Sequence, residues 1–168
     1  DTALRRLAYD EILANQLALA LARNHMRRNS GRIIQSSGIL RSKLEKALPF
    51  TLTGSQLAAV EEITLDMSSS SRMHRLLQGD VGSGKTVVAL LSMVSAIESG
   101  NQAALLAPTE ILAHQHFATM EPLAKSVGIR LALYTGRDRS KGRASKLANL
   151  ASGETQLIIG THTLFQEG

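Results

Sequence analysis

The sequence predicts an α/β fold in which a parallel sheet follows a long N-terminal helical arm. From residue 73 onward, short apolar runs of strand length alternate with longer segments of helical periodicity. Gly, Pro or Thr follows each apolar run, as is typical where a strand of a parallel sheet turns toward a helix. Residues 3–28 contain no Gly or Pro and present Leu and Ile at helical spacing, which predicts the arm.

The arm and the segment after it form the first predicted region, residues 1–48. The helix over 3–28 has a broad apolar face, and we expect that face to dock on a partner surface. Turn-forming Ser and Gly fill residues 29–38, which makes this stretch a candidate boundary. A short basic helix over 39–48 follows, and it ends before Pro49 because the residue preceding a proline disfavours helical geometry.

The second predicted region, residues 49–168, opens with a capped helix. Thr53 is a typical N-cap residue, and Gln56 three positions later completes a capping box. The helix is expected to run to about residue 67, where four serines at 68–71 form a linker.

Strands and helices then alternate along the rest of the chain. The apolar runs predict strands at 73–78, 102–107, 129–135 and 156–160, separated by helices at 85–99, 110–126 and 144–151. Such an order predicts parallel strands joined by right-handed crossovers. Ligands of these sheets bind beyond the carboxyl ends of the strands, so the turns after the strands are the place to look for a site.

Composition excludes several other classes of protein. Hydrophobic residues make up 43% and charged residues 20% of the 168 residues, which is enough for a globular core. Cysteine is absent, which excludes disulfide scaffolds, thiolate metal sites and cysteine nucleophiles and allows a reducing, cytoplasmic location. No apolar run approaches the roughly 20 residues that span a bilayer, so we expect no membrane partner.

Basic residues are concentrated in two clusters. The net charge is +5, and the first cluster comprises Arg23, Arg27, Arg28, Arg32, Arg41, Lys43 and Lys46. The second cluster lies after the third predicted strand and comprises Arg137, Arg139, Lys141, Arg143 and Lys146. Such patches attract phosphates by counterion release, although a basic surface that only keeps the chain in solution is an equal alternative.

Residues 79–86 fit the phosphate-loop pattern GxxxxGK[ST] between a predicted strand and a predicted helix. Backbone N–H groups of such a loop surround phosphate oxygens, and the helix N-terminus adds partial positive charge. Lys85 can reach the β and γ phosphates as the catalytic lysine, and the Thr86 hydroxyl can ligate Mg²⁺. The predicted nucleotide-binding residues are Gly79, Asp80, Val81, Gly82, Ser83, Gly84, Lys85 and Thr86, with ATP and Mg²⁺ as cofactors.

Hydrolysis also requires an acidic residue at the end of another strand, and the sequence offers none. The later predicted strands run into Pro108, Gly136 and Thr161 with no terminal Asp or Glu. Asp80 and Asp138 are poorly placed to substitute. We therefore expect the chain to bind nucleotide without hydrolysing it.

Several strings of residues resemble one family. The segment 107–116 is similar to motif Ia of superfamily 2 helicases, and in detail it resembles the RecG family of ATP-dependent DNA helicases. Further similarity covers motif I at 77–89, the adenine-side segment at 49–56, motif Ib at 159–166, and the helix between wedge domain and motor at 7–19. The resemblance thus covers nearly the whole chain.

The resemblance implies an incomplete RecA-like P-loop NTPase lobe from a protein that remodels stalled forks and Holliday junctions. It assigns Gln56 to the adenine edge and Phe50 to contact with the base. Contacts to the sugar-phosphate backbone of branched double- and single-stranded DNA would come from Thr109, Glu110, Thr161 and His162. A bacterial, nucleoid-associated location in the cytoplasm follows from that role.

The family pattern also implies parts that this sequence lacks. Most of the wedge domain, motifs II and III and the second motor lobe are missing, so the chain reads as a piece of a longer polypeptide whose remainder is a partner. Strands missing beside the phosphate-loop strand would leave an exposed apolar edge, which predicts marginal stability or self-association.

Structural explanations remain open for most of these side chains. Gln56 can be only the capping partner of Thr53, Phe50 can be a core residue, and Thr109 with Glu110 can be an ordinary helix start. His114 and His116 are two apart on a predicted helix and cannot share a face, which argues against a metal pair.

Three other functions are alternatives for the chain as a whole. A non-catalytic nucleotide- and DNA-binding module is one alternative. The related transcription-repair coupling translocase is disfavoured because Glu110 and Ile111 resemble RecG more closely. A small P-loop kinase gives no role to the basic arm.

Overall fold

The computed structural model describes residues 2–28, 30–136 and 140–165, with the backbone alone at 2–4, 8, 22–28, 140–143, 163 and 165. Helices and strands alternate in its second half, as the sequence predicts. The elements are α1 (Thr2–Arg28), α2 (Ile39–Ala47), α3 (Gly54–Met67), α4 (Lys85–Glu98), β1 (Ala103–Leu106), α5 (Glu110–Ser126), β2 (Leu131–Tyr134), α6 (Ser140–Ala151) and β3 (Leu157–Gly160), followed by a 3₁₀ turn over His162–Phe165.

The three described strands form one parallel sheet in the order β1-β3-β2. Leu157 of β3 pairs with Ala103 of β1 on one side and with Leu131 of β2 on the other. The last strand in the chain therefore lies in the middle, where both of its edges are paired. The strands are one to three residues shorter than the apolar runs that predicted them, because only the central residues of each run share a ladder.

One face of the sheet is covered by the main core. Leu157 and Ile159 of β3 are fully buried on this face. Helix α4 packs against β1 and also against α2 and α3, while α5 packs against β2 and β3. Nine residues of α4 are buried, so this helix is enclosed on most of its circumference. Its apolar sequence follows from that position.

The opposite face is covered unevenly. Tyr134 of β2 and Ile158 of β3 are buried there, and α6 packs against β2. The edge strand β1 lies beyond this cover, and the side chain of Leu106 is 43% exposed. Parallel sheets usually have helices on both faces. In the described residues the second layer of helices is thus incomplete.

The predicted strand at 73–78 is wrong. These residues pair with no described strand, and a strand exists only where a neighbour takes up its backbone hydrogen bonds. Arg75 instead ties the segment to α3 through hydrogen bonds to Asp66 (2.7 Å) and Glu62 (2.5 Å). The hydrogen bond to Asp66, followed by that to Glu62, raises the pKa of Arg75 above its usual value.

Residues 30–48, which the sequence places with the arm, pack on the sheet-bearing unit. Ser30 forms an antiparallel bridge with Ser71, and the Gly31 N–H donates to the Ser70 carbonyl (2.7 Å). Leu44 of α2 is fully buried in the main core. The described apolar side chains of α1, by contrast, are exposed.

The helices agree closely with their predicted bounds, with one exception. Helix α6 begins at Ser140, four residues before the predicted start. The helix therefore includes Gly142, and a glycine inside a helix costs only about 1 kcal/mol, which packing can offset.

Parts of both basic clusters lie outside the described residues. This holds for Arg137 and Arg139, and for the side chains of Lys141, Arg143, Arg23, Arg27 and Arg28. Within the portion of the chain that is described, no helix combines the length and apolar content that crossing a bilayer requires.

Candidate nucleotide-binding and DNA-binding site

The phosphate loop leads directly into α4. Gly82 and Gly84 both adopt φ of 82°, a left-handed conformation that favours glycine. Gly84 is also the N-cap residue of α4, and it has no side chain with which to cap the helix. The first N–H groups of α4 have no partner within the helix, so they can donate to an anion.

Lys85 lies across the loop. Its Nζ donates to the carbonyl oxygens of Gly79 (2.7 Å) and Asp80 (2.6 Å), which places the ammonium group inside the curl of the chain. The positive charge and the N-terminal end of the α4 dipole therefore occur together, and both favour a phosphate.

The loop is tight at its base and open at its tip. A Cβ on Gly79 would lie 2.8 Å from the Ser83 Oγ, which a residue larger than glycine cannot accept without movement. The Ser83 N–H donates to the Asp80 carbonyl (3.2 Å) and closes the turn. Val81 at the tip is fully exposed. This shape is a cradle whose glycines allow close approach of a ligand.

The donor set also suits Mg²⁺ carried by a phosphate. Thr86 is half-buried in the first turn of α4, next to Lys85, where its hydroxyl can serve as one hard oxygen ligand. Among the described residues, no group of three His, Cys, Asp or Glu could hold a metal ion. Mg²⁺ would therefore depend on phosphate oxygens and water for most of its ligands.

Gln56 connects α3 with the phosphate loop. The capping box is present: the Thr53 hydroxyl accepts from the Gln56 N–H (3.3 Å), and the Gln56 Oε1 accepts from the Thr53 N–H (2.9 Å). In addition, the Gln56 Nε2 donates to the Ser83 carbonyl (2.9 Å). Gln56 thus completes the capping box, and its side chain also contacts the phosphate loop.

Phe50 lies in a surface groove rather than in the core. The groove has a volume of about 490 Å³ and is formed where α2 gives way to α3. Phe50 is 50% exposed, and its lining neighbours include Leu52 and Leu57. Leu57, which also lines the groove, follows Gln56 directly in α3.

The predicted DNA-contacting residues gather at the carboxyl ends of the strands. The Ala107 N–H donates to the Gly160 carbonyl (2.8 Å), which ties the end of β1 to the end of β3. Thr109 is exposed and caps α5, since its hydroxyl accepts from the Leu112 N–H (3.3 Å). Glu110, half-buried, begins that helix.

The two residues after β3 differ in exposure. Thr161 is 3% exposed, and its carbonyl accepts from the Leu164 N–H (3.0 Å). His162 is exposed. At this position the surface is therefore formed by His162, while the Thr161 side chain lies inside.

The phosphate loop lies at the same end of the sheet. Helix α4 packs against β1 and is joined to it by residues 99–102 alone. A connection that short makes the helix and strand antiparallel, so the N-terminus of α4 stands at the carboxyl end of β1. Thr109 and His162 follow strands at this same end, which is where parallel sheets bind ligands.

No described strand ends in an acid. The strands β1, β2 and β3 end at Leu106, Tyr134 and Gly160. His114 and His116 of α5 differ in exposure, as expected for positions two apart on a helix.

Sequence reasoning missed Glu98, at the end of α4. Its carboxylate accepts from the Ser37 hydroxyl (2.6 Å) and from the N–H groups of Gly38 (2.9 Å), Ile39 (2.8 Å) and Leu40 (3.1 Å). Burial disfavours the charged form and is the largest single influence. The Ser37 hydroxyl and the three N–H groups together outweigh it, and the pKa of Glu98 is lowered. The local signal for this contact is Gly38, the N-cap residue of α2, which has no side chain with which to cap the helix.

Comparison with known proteins supports this geometry. The family model described as DEAD/DEAH box helicase matches residues 53–167, which is more than half of the chain. The chain belongs to the DEAD/DEAH box helicase family. The matched residues contain the phosphate loop and the strand ends that carry Thr109 and His162.

Relatives of this helicase-family chain include several proteins named ATP-dependent DNA helicase RecG. The chain is 44% identical to the Streptococcus pneumoniae protein over 99% of its own length and 25% of that protein. It is 45% identical to the Bacillus subtilis protein, over 98% of the chain and 24% of that protein. It is 42% identical to the Escherichia coli K12 protein, over 98% of the chain and 24% of that protein.

A solved structure agrees with these relatives. The structure of RecG bound to a three-way DNA junction superposes with a TM-score of 0.89 at 40% identity, covering 98% of this chain and 22% of that one. The resemblance to the RecG helicases and the α/β fold are thereby confirmed. The chain spans about a quarter of the length of the relatives it matches.

Proposed function

We propose that this chain is the ATP-binding part of a RecG-type DNA helicase that remodels branched DNA, such as stalled forks and Holliday junctions, in bacterial recombination and repair. The observation that carries the proposal is the position of Lys85, at the N-terminus of α4 and within the curl of a glycine loop. This position supports binding of a nucleoside triphosphate. Relatives named as ATP-dependent DNA helicases support ATP as that nucleotide.

In this proposal different residues of the chain bind different parts of the nucleotide. The α4 N-terminus and Lys85 bind the phosphates, and the Thr86 hydroxyl holds Mg²⁺, which would neutralise charge on the phosphate oxygens. Phe50 lies against the base in its groove, and Gln56 stands at the same side of the loop.

DNA is proposed to contact the carboxyl ends of β1 and β3. Thr109, Glu110 and His162 are at or near the surface there and would meet the sugar-phosphate backbone, with Thr161 beneath them. The DNA-bound relative, a RecG on a three-way junction, supports a branched substrate. A nucleoid location follows from that substrate.

Hydrolysis is proposed to need the remainder of the same polypeptide, including a wedge domain and a second motor lobe. The described strands provide no acid to complete the Mg²⁺ site. Taken alone, the chain would then be a nucleotide- and DNA-binding module without turnover.

Replacing Lys85 by alanine tests the proposal. The variant should lose most of its affinity for Mg–ATP, by about a hundredfold or more, because a charge-assisted contact to phosphate is removed from the centre of the loop. Calorimetric titration of the chain measures this affinity. Lys125→Ala, an exposed lysine at the end of α5, is the matched control and should bind as the unmodified chain does. Equal affinity of Lys85→Ala and the control would refute the assignment.

A further inference from the structure

Glu98, the last residue of α4, holds the N-terminus of α2 from outside that helix. One carboxylate oxygen accepts from the Ser37 hydroxyl (2.6 Å) and from the Ile39 and Leu40 N–H groups (2.8 and 3.1 Å). The other oxygen accepts from the Gly38 N–H (2.9 Å). Four donors that lie 58–61 positions away in the chain therefore converge on one carboxylate.

Helix α2 depends on this carboxylate because its own residues provide no cap. Its N-cap residue is Gly38, which makes no side-chain hydrogen bond, and its first turn contains no acidic residue. The helix has only nine residues, a length at which a helix is not stable without contacts from outside. Those contacts include the packing of Leu44 in the main core and the hydrogen bonds to Glu98.

The C-terminal end of α2 forms one side of the groove that contains Phe50. Lys46, in the last turn of α2, and Leu48, directly after the helix, line the groove on this side. Leu57 also lines the groove and belongs to the first turn of α3. The groove is thus built from two helices, and Glu98 anchors one of them.

The other helix of the groove is tied to the phosphate loop. Gln56, which precedes Leu57 in α3, donates from its Nε2 to the Ser83 carbonyl (2.9 Å). The loop leads into the N-terminus of α4, whereas Glu98 is the last of the 14 residues of that helix. At about 1.5 Å per residue, Glu98 lies roughly 20 Å along α4 from the loop. Its carboxylate therefore cannot touch a phosphate that is bound there.

The two parts of the proposed nucleotide site consequently depend on Glu98 to different degrees. The phosphate loop is continuous with α4 and is hydrogen-bonded to α3, so its geometry does not require α2. The groove does require α2, since a shift or fraying of this helix moves Lys46 and Leu48 relative to Leu57. A site that is correctly formed for only part of the time binds its ligand more weakly in proportion to that fraction.

We propose that Glu98 is a positioning residue for the Phe50 groove. By holding the N-terminus of α2, it keeps the α2 side of the groove in the place at which a base joined to a loop-bound phosphate chain can enter. This inference rests on the proposed nucleotide binding. It predicts that loss of Glu98 weakens the contribution of the base to binding and leaves the contribution of the phosphates unchanged.

Two variants remove the anchor to different degrees. Glu98→Ala removes both carboxylate oxygens, and Glu98→Gln keeps the volume together with one oxygen that can still accept. Ala148→Gly is the control for stability, because it places a glycine in the exposed interior of α6, which packs against β2, and such a glycine destabilises a helix. Circular dichroism and urea unfolding identify conditions in which every chain is folded.

ATP and inorganic tripolyphosphate are titrated calorimetrically against each chain in the presence of Mg²⁺. We expect Glu98→Ala to weaken ATP binding by about threefold to tenfold, and Glu98→Gln by about twofold to fivefold, because the groove is correctly formed less often. Tripolyphosphate has no base, and its affinity should change by less than about twofold in both variants. Ala148→Gly should leave both affinities within about twofold of those of the unmodified chain.

Phe50→Ala tests whether the effect of Glu98 passes through the groove. In this background the groove has lost its aromatic ring, so adding Glu98→Ala should weaken ATP binding by less than about twofold further. An additional loss of about threefold or more would mean that Glu98 acts on another part of the site, and it would overturn the inference.

An equal loss of affinity for ATP and tripolyphosphate in Glu98→Ala would also overturn the inference, since the variant would then act on the fold as a whole. So would an ATP affinity that neither Glu98 variant changes. Failure of the proposed function is distinguishable from these results. In that case the unmodified chain itself would bind neither ligand, and the inference would fail with it.

Discussion

Gly160, the last residue of β3, lies between the end of β2 and the turn after β3, and the space there does not admit a side chain. A Cβ there would collide with the Tyr134 carbonyl and would lie 2.8 Å from the Cγ of Leu164. The backbone of β2 and the turn after β3 can approach each other only because this residue has no side chain. The close approach also determines where Thr161 and His162 stand at the sheet edge.

Gly160→Ala is expected to destabilise the chain by about 1–3 kcal/mol, since the added methyl forces backbone shifts in a packed region. Urea unfolding followed by circular dichroism measures the change. Gly54→Ala is the control: a Cβ on Gly54 meets nothing within 4 Å, and alanine favours the helix that starts there. If both variants unfold at the same urea concentration, the close approach at Gly160 does not matter for stability.

Residues whose roles depend on nearby sequence were the ones the sequence predicted well. The capping box of Thr53 and Gln56 and the N-cap at Thr109 are satisfied within three residues of chain, so the pattern alone reveals them. The contacts of Gln56 with Ser83 and of Glu98 with Ser37 join residues 27 and 61 positions apart. No local pattern encodes such contacts, because they depend on how the helices pack.

At the scale of elements, the two ends of α4 have different roles. The N-terminus of α4 carries Lys85, and its last residue, Glu98, caps α2 from outside that helix. Helix α2 has no acidic residue in its own first turn and a glycine as N-cap. The carboxylate therefore supplies both the missing acceptor and the negative charge that a helix N-terminus favours.

Glu98→Gln should lower the free energy of unfolding by about 1–2 kcal/mol at neutral pH, because a charged acceptor of several hydrogen bonds becomes a neutral one. The pKa of Glu98 is lower in the folded chain than in the unfolded chain. Its charge therefore contributes stability that is fully present above the pKa of the unfolded chain, and that contribution is lost as the pH falls through the pKa of the folded chain. The difference in free energy of unfolding between the unmodified chain and Glu98→Gln should therefore become smaller as the pH falls.

Denaturant unfolding of both chains between pH 7 and pH 3 tests this behaviour. Glu61→Gln, an exposed glutamate on α3, serves as the control and should stay within about 0.5 kcal/mol of the unmodified chain. A gap that stays constant across the range would contradict the role given to the Glu98 charge.

All helices but α6 were predicted within a residue or two, whereas one predicted strand in four was wrong, and the reason is physical. A helix satisfies its backbone internally, and Pro, Gly and capping residues mark its ends locally. A strand depends on a neighbour that the sequence does not identify. The run at 73–78 has strand-like composition, but in the described structure it pairs with no strand, and its Arg75 binds Asp66 and Glu62 of α3.

At the scale of the whole molecule, the described unit has a complete side and an incomplete side. The face of the sheet toward α4 is closed, whereas Leu106 is exposed on the other face and β1 lies at the edge of the sheet. An edge strand with apolar residues favours pairing with further chain. Self-association of the chain on its own therefore stays a prediction, as does the division at residue 48.

The described strands also lack an acidic residue that hydrolysis requires. Binding of ATP needs the loop, α4 and Lys85, all of which are present, but hydrolysis needs a further acid to hold Mg²⁺ and orient water. The described strands end at Leu106, Tyr134 and Gly160, and none of these residues can hold Mg²⁺ or orient water in that way.

We therefore expect this chain to bind Mg–ATP while releasing phosphate at least about a hundredfold more slowly than a full-length RecG, with or without three-way junction DNA. A phosphate-release assay measures both proteins side by side, and Lys85→Ala in each reports the background. Turnover by the chain that junction DNA stimulates and Lys85→Ala abolishes would show that the missing acid lies within these residues after all.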